Sequence, residues 1–317
     1  MTAAAAPVPG PAPRRLVGRI RHGDRALAIL SGTAVAVILA MLAVIIVDVV
    51  RGGVGTLSWE FVSEPPRDGM TAGGVFPAIF GTVALTLLMT LAAVPAGVAT
   101  AIYLAEFAST QSRIARLIRV CVANLAGVPS IVFGLFGLGF FIATVGKAID
   151  AVAYGGHSVY GRPCLIWSSL TLAILTMPVV VVATEEAIRA VPRELREASL
   201  ALGATRIQTI LRVVLPQALG GILTGTILAV SRGAGEVAPI LFTGVAYYLP
   251  HLPTNLNDQF MSLGYHVYVL ATQSPDVDKT KPQLYGTALV LLTLTFLLNL
   301  VAISIRSRSR KRARGGH

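Results

Sequence analysis

Residues 185–216, EEAIRAVPRELREASLALGATRIQTILRVVLP, form a charged island in an apolar chain. The stretch before them, 163–184, holds no charged residue, and neither does 213–231, which overlaps their end. Charge-free runs that can supply about 20 apolar residues are long enough to cross a bilayer as helices. The island is then a connector between two crossings. Within it, Val191-Pro192-Arg193 breaks one helix, and Glu194 to Leu202 starts another. Gly203 ends that helix, and a further amphipathic turn or two runs to Pro216. Two short helices joined at a glycine predict a compact knob. Leu195, Ala198, Leu202 and Ile207 give it an apolar face, and Arg193, Glu194, Arg196 and Glu197 a charged rim.

The same pattern extends along the chain. It is 317 residues long, 54% hydrophobic and 13% charged, with a mean hydropathy of +0.73. One soluble core of this size could not bury so much apolar surface, whereas a multi-pass membrane protein need not hide it from water. Six charge-free windows, 26–47, 69–105, 120–146, 163–184, 213–231 and 282–305, define six crossings. In lipid such segments must be helices, because every backbone group needs an internal partner. The expected spans are about 26–50, 75–104, 120–145, 164–184, 216–245 and 283–305. The fold class predicted is all-α, with six transmembrane helices.

An even number of crossings puts both ends on one side. With the N-terminus inside, 19 Lys and Arg fall on inner segments and 6 on outer ones. That asymmetry predicts cytoplasmic termini. It also accounts for the net charge of +11 without nucleic acid. Residues 1–25 read as a disordered basic N-terminus, and 306–317, with RSRSRKRAR, as a basic tail at anionic headgroups. The run 26–47 is too long for a signal-peptide core and is expected to be a retained helix. The segment from about 249 to 281, with Pro250, Pro253, Pro275 and Pro282, reads as an outer loop without a folded domain, its His251 and His266 solvated.

Cys121 and Cys164 fall near opposite faces and are read as fillers, with no disulfide and no metal. The five histidines are scattered. No GxxxxGK[ST] phosphate loop occurs, so the chain is not expected to hydrolyse ATP. No cofactor and no catalytic set is predicted.

The stretch SRGAGEVAPI (231–240) breaks the pattern. It places Arg232 and Glu236 one helical turn apart. A charge in mid-membrane costs about 2.5–3.5 kcal/mol on insertion scales and normally has a function or a partner. If the fifth span stopped at residue 231, Arg232 would snorkel to the outer interface and VAPILFTGVAYYL would be left outside. The preferred expectation is a long or tilted fifth helix carrying both charges, kinked near its outer end by Pro239. Gly221, Gly225 and Ala229 recur every four residues, as at close helix interfaces. A guanidinium there suits a tetrahedral oxyanion, since its planar fork pairs with two oxygens at any working pH. A structural intramembrane salt bridge is the other reading of the pair. Asn124 and Ser130 are further candidates for lining a pathway, with packing as their other role.

The connector carries a resemblance. EASLALGATRIQTILRVVLP is similar to the EAA loop of ABC-importer permeases: Glu197-Ala198-Ser199, Gly203, then Val213-x-Leu215-Pro216 at the family's spacing. Ser199 and Val213 are mild departures. Further stretches, GGVFPAIFGTVALTLL (73–88), NLAGVPSIVFGLFGLG (124–139), LTGTILAVSRGAGEVAPILFTG (223–244) and LYGTALVLLTLTFLLNLVAI (284–303), resemble the PstA-type permeases of phosphate importers. The resemblance covers most of the chain from residue 73 onward. It implies a type I ABC-importer permease bundle in a bacterial inner membrane. The EAA loop would dock on the ATPase through Glu197, Ala198, Ser199, Gly203, Arg196, Leu215 and Pro216. Arg232 and Glu236 would lie on the substrate pathway, and an Arg at this place would be needed for transport. The implied partners are a second permease of PstC type, two ATPase subunits of PstB type that hold the ATP and Mg, and a PstS-type binding protein outside. A permease for sulfate or molybdate, or the PstC-type partner itself, is the alternative. An intramembrane enzyme or a proton-coupled carrier would need acids, dyads or a two-fold repeat that the sequence does not display.

Overall fold

The computed structural model of the chain describes residues 22–109, 111–274 and 276–314, with side chains over 26–308 of these. The expectations for residues 1–21, and for the tail's last three residues, lie outside the described residues. Residues 22–25, expected in a disordered arm, are the first turn of helix α1 (His22–Gly53). Over its described residues the first compact unit, up to Asp48, is this helix. The second unit runs from Val49 onward and holds the other five crossings.

Among the described residues, six helices are long and apolar enough to cross a membrane: Ala26–Thr56, Phe76–Phe107, Ser130–Ala153, Leu165–Arg189, Arg206–Ala234 and Val277–Arg308. The chain is a multi-pass, all-α membrane protein. Within the second crossing, α3 (Phe76–Ile102) begins with Pro77 in its first turn and is prolonged by a π-helical stretch, Tyr103–Phe107. The fourth is α7 (Leu165–Arg189) and the sixth is α12 (Val277–Arg314), which starts at Val277, six residues before the expected 283. The only sheet among the described residues is a two-residue hairpin, Pro66–Arg67 with Ala72–Gly73, just before α3.

The third crossing departs from the expected 120–145. Residues 113–127 form a separate amphipathic helix, α4 (Arg113–Gly127), and the crossing itself begins at Ser130. Pro129 explains the break. It has no N–H to donate and forces Val128 into an extended conformation, φ −75° and ψ 132°. From there α5 (Ser130–Phe136), a π-helical stretch (Gly137–Gly146) and α6 (Lys147–Ala153) run continuously. At its far end Asp150, buried, accepts backbone N–H bonds from Val159 (3.0 Å), Tyr160 (2.8 Å) and Gly161 (2.6 Å), folding the next loop over the helix end.

The fifth crossing also departs from expectation. Helix α10 (Leu215–Ala234) stops eleven residues short of the expected 245. Gly233 and Gly235 are poor helix formers, and Pro239 bars its own neighbours from continuing. Beyond the helix end the chain does not run out onto the surface. Residues 235–247 fold back into the protein as turns, with Ile240, Thr243 and Val245 buried. Irregular backbone at membrane depth is tolerated only where protein or water satisfies it. Here Cys164 N donates to Thr243 O (2.9 Å), Ala246 N to Phe260 O (2.8 Å), and Ser168 Oγ shares a hydrogen bond with Thr243 Oγ1 (3.1 Å). The region expected as a plain outer loop likewise contains a helix, α11 (Leu263–Thr272), packed on α3 and α12. His266 is therefore buried rather than solvated, and burial alone pushes its imidazole down to about 4.

Helices α7 and α10 pack antiparallel through the predicted small residues. A Cβ on Gly221 would meet Ala187 Cβ at 2.3 Å, and one on Gly225 would meet Ala183 Cβ at 2.6 Å. At the end of α10, Gly233 sits against Met89 of α3 and Thr176 of α7. Thr176 lies about 17 Å along α7 at 1.5 Å per residue, close to its midpoint. Helix α10 thus ends at half the depth of the bundle.

Candidate functional site

Two places gather polar chemistry. The first is the knob at the bundle end reached by Arg189. Helix α8 (Arg193–Ala201) ends at Gly203, whose φ of +83° is the left-handed conformation that closes helices. Thr205 then caps α9 (Arg206–Thr209) reciprocally: Gln208 N donates to Thr205 Oγ1, and Thr205 N donates to Gln208 Oε1 (2.9 Å). Ser199 and Thr209 share a hydrogen bond of 3.0 Å that folds the two helices together. A π-helical stretch, Ile210–Val214, leads into α10 at Leu215-Pro216. The two-helix knob joined at Gly203 is as the sequence predicts. Glu197 and Ala198 are exposed, and so are Leu202 (89%) and Ile207 (61%).

Arg196, placed by the sequence on the charged rim, turns inward. Its Nη1 donates to Val191 O (2.8 Å), its Nη2 to Ile188 O (2.6 Å), and Nη2 lies 3.1 Å from Glu106 Oε1. The guanidinium caps one of the last carbonyls of α7 and one in the turn that follows, while it pairs with the end of the second crossing. Around it, Arg119 of α4 bonds Glu185 Oε1 (3.1 Å) and Leu104 O (2.9 Å), and Arg189 bonds the same Glu185 oxygen (2.7 Å). Arg206 donates to the Glu106 carbonyl and lies over the Phe107 ring, 5.2 Å from its centroid. The knob is thereby fastened to the end of the second crossing and to α7, and Arg119 ties α4 to the same two elements. Sequence reasoning missed Glu106, Glu185 and Arg119 as a set. Their signal is that Glu106 and Glu185 each end a charge-free window, which marks a helix end but not what it meets.

The second place is the end of α10. Arg232 occupies its last turn, where a cation offsets the negative end of the helix dipole. Its Nε lies 3.4 Å from Glu236 Oε1, and no other hydrogen bond engages this guanidinium among the described residues. The Nη1 and Nη2 fork is therefore open. The Arg232 side chain is 44% exposed and that of Glu236 19%. Arg232 adjoins Gly233, which packs at the depth of Thr176, and the two charges flank a helix end rather than lying within a long helix. One residue back, Ser231 Oγ bonds Asn299 Oδ1 of α12. Asn299 was not foreseen, although an Asn inside the last charge-free window is itself a signal.

Asn124 and Ser130 fall on either side of the Pro129 break. Asn124 is exposed on α4 and Ser130 opens α5. No hydrogen bond joins either to Arg232 among the described residues. Cys121 and Cys164 are free. No cluster of three His, Cys, Asp or Glu residues fit for a metal occurs among the described residues.

Known proteins share this sequence pattern and this fold. Residues 93–315 match the family described as binding-protein-dependent transport system inner membrane component. The chain is similar to the probable ABC transporter permease protein YqgI of Bacillus subtilis, with 31% identity over 83% of this chain and 88% of that one. It is 34% identical to the probable phosphate transport system permease protein PstA of Methanocaldococcus jannaschii, over 71% of this chain and 73% of the relative. It is 43% identical to PstA 1 of Mycobacterium tuberculosis over 54% of this chain and 51% of the relative. Among solved structures, a chain of a bacterial alginate ABC transporter, in complex with its alginate-bound periplasmic protein, superposes with a TM-score of 0.65. It covers 90% of this chain and 95% of that one at 16% identity. At that identity the likeness establishes the fold alone.

Proposed function

The chain belongs to the binding-protein-dependent transport system inner membrane components, and from that premise we propose that it is a membrane permease subunit of an ATP-driven importer of inorganic phosphate. The observation that carries the substrate is Arg232: one guanidinium with an open donor fork, at mid-bundle depth, in a chain similar to permeases named for phosphate transport. A tetrahedral oxyanion takes two parallel N–H bonds from such a fork. A helix C-terminus alone would repel an anion, and Arg232 reverses that sign. Glu236, on Nε, holds the fork in orientation without occupying it.

In this reading both termini and the knob face the cytoplasm, as the 19-to-6 distribution of Lys and Arg favours. An extracytoplasmic binding protein delivers phosphate to the opposite end. A second permease of similar build completes the pathway. ATP and Mg belong to separate ATPase subunits, which receive the exposed tip formed by Leu202, Ile207, Glu197 and Ala198. ATPase closure moves the knob, and Arg196 and Glu106 carry that movement into α7 and the second crossing. Alternating access results when the bundle opens first on one side of Arg232 and then on the other.

The test is uptake by the whole complex in proteoliposomes with ATP inside the cytoplasmic compartment. Phosphate should accumulate, and excess sulfate or molybdate should leave the rate unchanged. Uptake of sulfate or molybdate with no response to phosphate would replace the substrate assignment and keep the permease.

A further inference from the structure

Beneath the knob lies a cavity of ≈ 690 Å³ whose wall is dominated by arginine. Arg119, Arg189, Arg193, Arg196 and Arg206 line it, with Glu106 and Glu197 as its only acidic lining residues among the described residues. Glu185 adds a third carboxylate by bonding Arg119 and Arg189. Five guanidinium groups thus face three carboxylates, a surplus of two positive charges. The pairing inside the cluster leaves many donors over. Arg189 engages one Nη and is 59% exposed, Arg206 engages one, and Arg193 has no hydrogen bond or ion pair among the described residues. Arg196 Nε is sealed from water and has no hydrogen-bond partner.

A cluster of this kind is unfavourable when empty. Like charges gathered around one cavity repel, and the sealed Arg196 Nε has no acceptor to offset its lost hydration. A phosphate group answers both defects. It carries about −1.5 to −2 charges near neutral pH and three acceptor oxygens, which matches the surplus and the free donors. Acidic side chains of the chain itself do not close the balance. We infer that the arginine-lined cavity between the end of the second crossing, α4, α7 and the knob is a binding site for a phosphate group, separate from Arg232 and at the opposite end of α10. The group comes from free phosphate on that side of the membrane or from the headgroup of an anionic lipid at the same depth. Because the donors come from the knob and from two bundle helices, α4 and α7, an occupant ties the knob to the bundle.

The test uses the assembled transporter in which Arg232→Gln has removed the pathway site, so that failure of the import reading does not decide it. In nanodiscs of phosphatidylcholine alone, inorganic phosphate is titrated and the thermal midpoint of the permease recorded. In a parallel arm, phosphatidylglycerol is added to the nanodiscs and its retention recorded by native mass spectrometry. The expected result is a phosphate-dependent rise of the midpoint or selective retention of phosphatidylglycerol. The arm that responds names the source. Replacing Arg189 and Arg193 by Gln should weaken that response about tenfold or more, and replacing both by Lys should keep most of it. A response in neither arm, or an equal response in the Gln variant, overturns the inference. So does a Gln variant that only releases the ATPase while the parent shows no response, since that assigns the cluster to a protein partner.

Discussion

Two Arg–Glu pairs in this chain are built in opposite ways. Arg196 with Glu106 is largely buried, their side chains being 20% and 11% exposed, and the arginine makes two further bonds to carbonyls at and just beyond the end of α7. Arg232 with Glu236 is long, at 3.4 Å, and leaves the arginine fork unused. The first pair joins three elements, and fixed acceptors engage both of its Nη atoms. The second joins two residues one turn apart, and its geometry stabilises little. The same two residue types thus make a fastening in one place and a reserve of open donors in the other. What separates them is how many fixed acceptors surround the guanidinium, not its sequence spacing.

The contrast can be broken by substitution. Glu106→Gln should cost the most, about 3 kcal/mol, because it leaves a largely buried guanidinium without its counter-charge. Thermal unfolding of the purified chain should show this, together with weaker co-purification of the ATPase. Gly244→Ala comes next at about 2 kcal/mol, because its Cβ would lie 2.3 Å from the Cys164 carbonyl oxygen and backbone cannot step aside cheaply. That loss, read in the same assay, would locate the folded-back segment as a stabilising part of the bundle. Gly203→Ala should cost about 1 kcal/mol for a left-handed residue. The space around it is open, so the penalty is conformational and should appear as poorer coupling of ATP hydrolysis to uptake. Glu236→Gln should change stability by less than about 0.5 kcal/mol, as a long and partly exposed pair contributes little. If Glu236→Gln and Glu106→Gln destabilise alike, the distinction between the two pairs is wrong.

How far the sequence reveals these features depends on the range of the forces that set them. The crossings were legible because a charge in lipid is costly wherever the chain places it, so charge-free windows mark spans directly. The knob was legible because Gly203, Thr205 and Gln208 act within a few residues of one another. The break at Pro129 was written in the sequence and outweighed by the length of the window that contains it. The end of α10 was not legible in the same way. VAPILFTG is apolar enough for a helix in lipid, and it folds back only because Cys164, Ser168 and Phe260 supply partners for its backbone and side chains. Those partners lie far along the chain, as does the packing that buries His266. Arg232 itself was singled out by its cost in a membrane, and its depth became clear only from the contact of Gly233 with Met89 and Thr176.

The central claim, that Arg232 receives the passing anion, is tested most directly by phosphate uptake. The whole complex in proteoliposomes is compared as wild type, Arg232→Gln and Arg232→Lys. Assembly is checked by co-purification of the ATPase, and folding by the thermal midpoint. Uptake should fall about 100-fold or more in Arg232→Gln, a loss equivalent to the two charge-assisted hydrogen bonds of the fork, while assembly and midpoint stay as in wild type. Arg232→Lys should recover only part of the rate, because a point charge cannot reproduce a planar fork. Uptake that survives in Arg232→Gln would contradict the claim: Arg232 would then be a structural charge, and the anion's path would run elsewhere in the bundle.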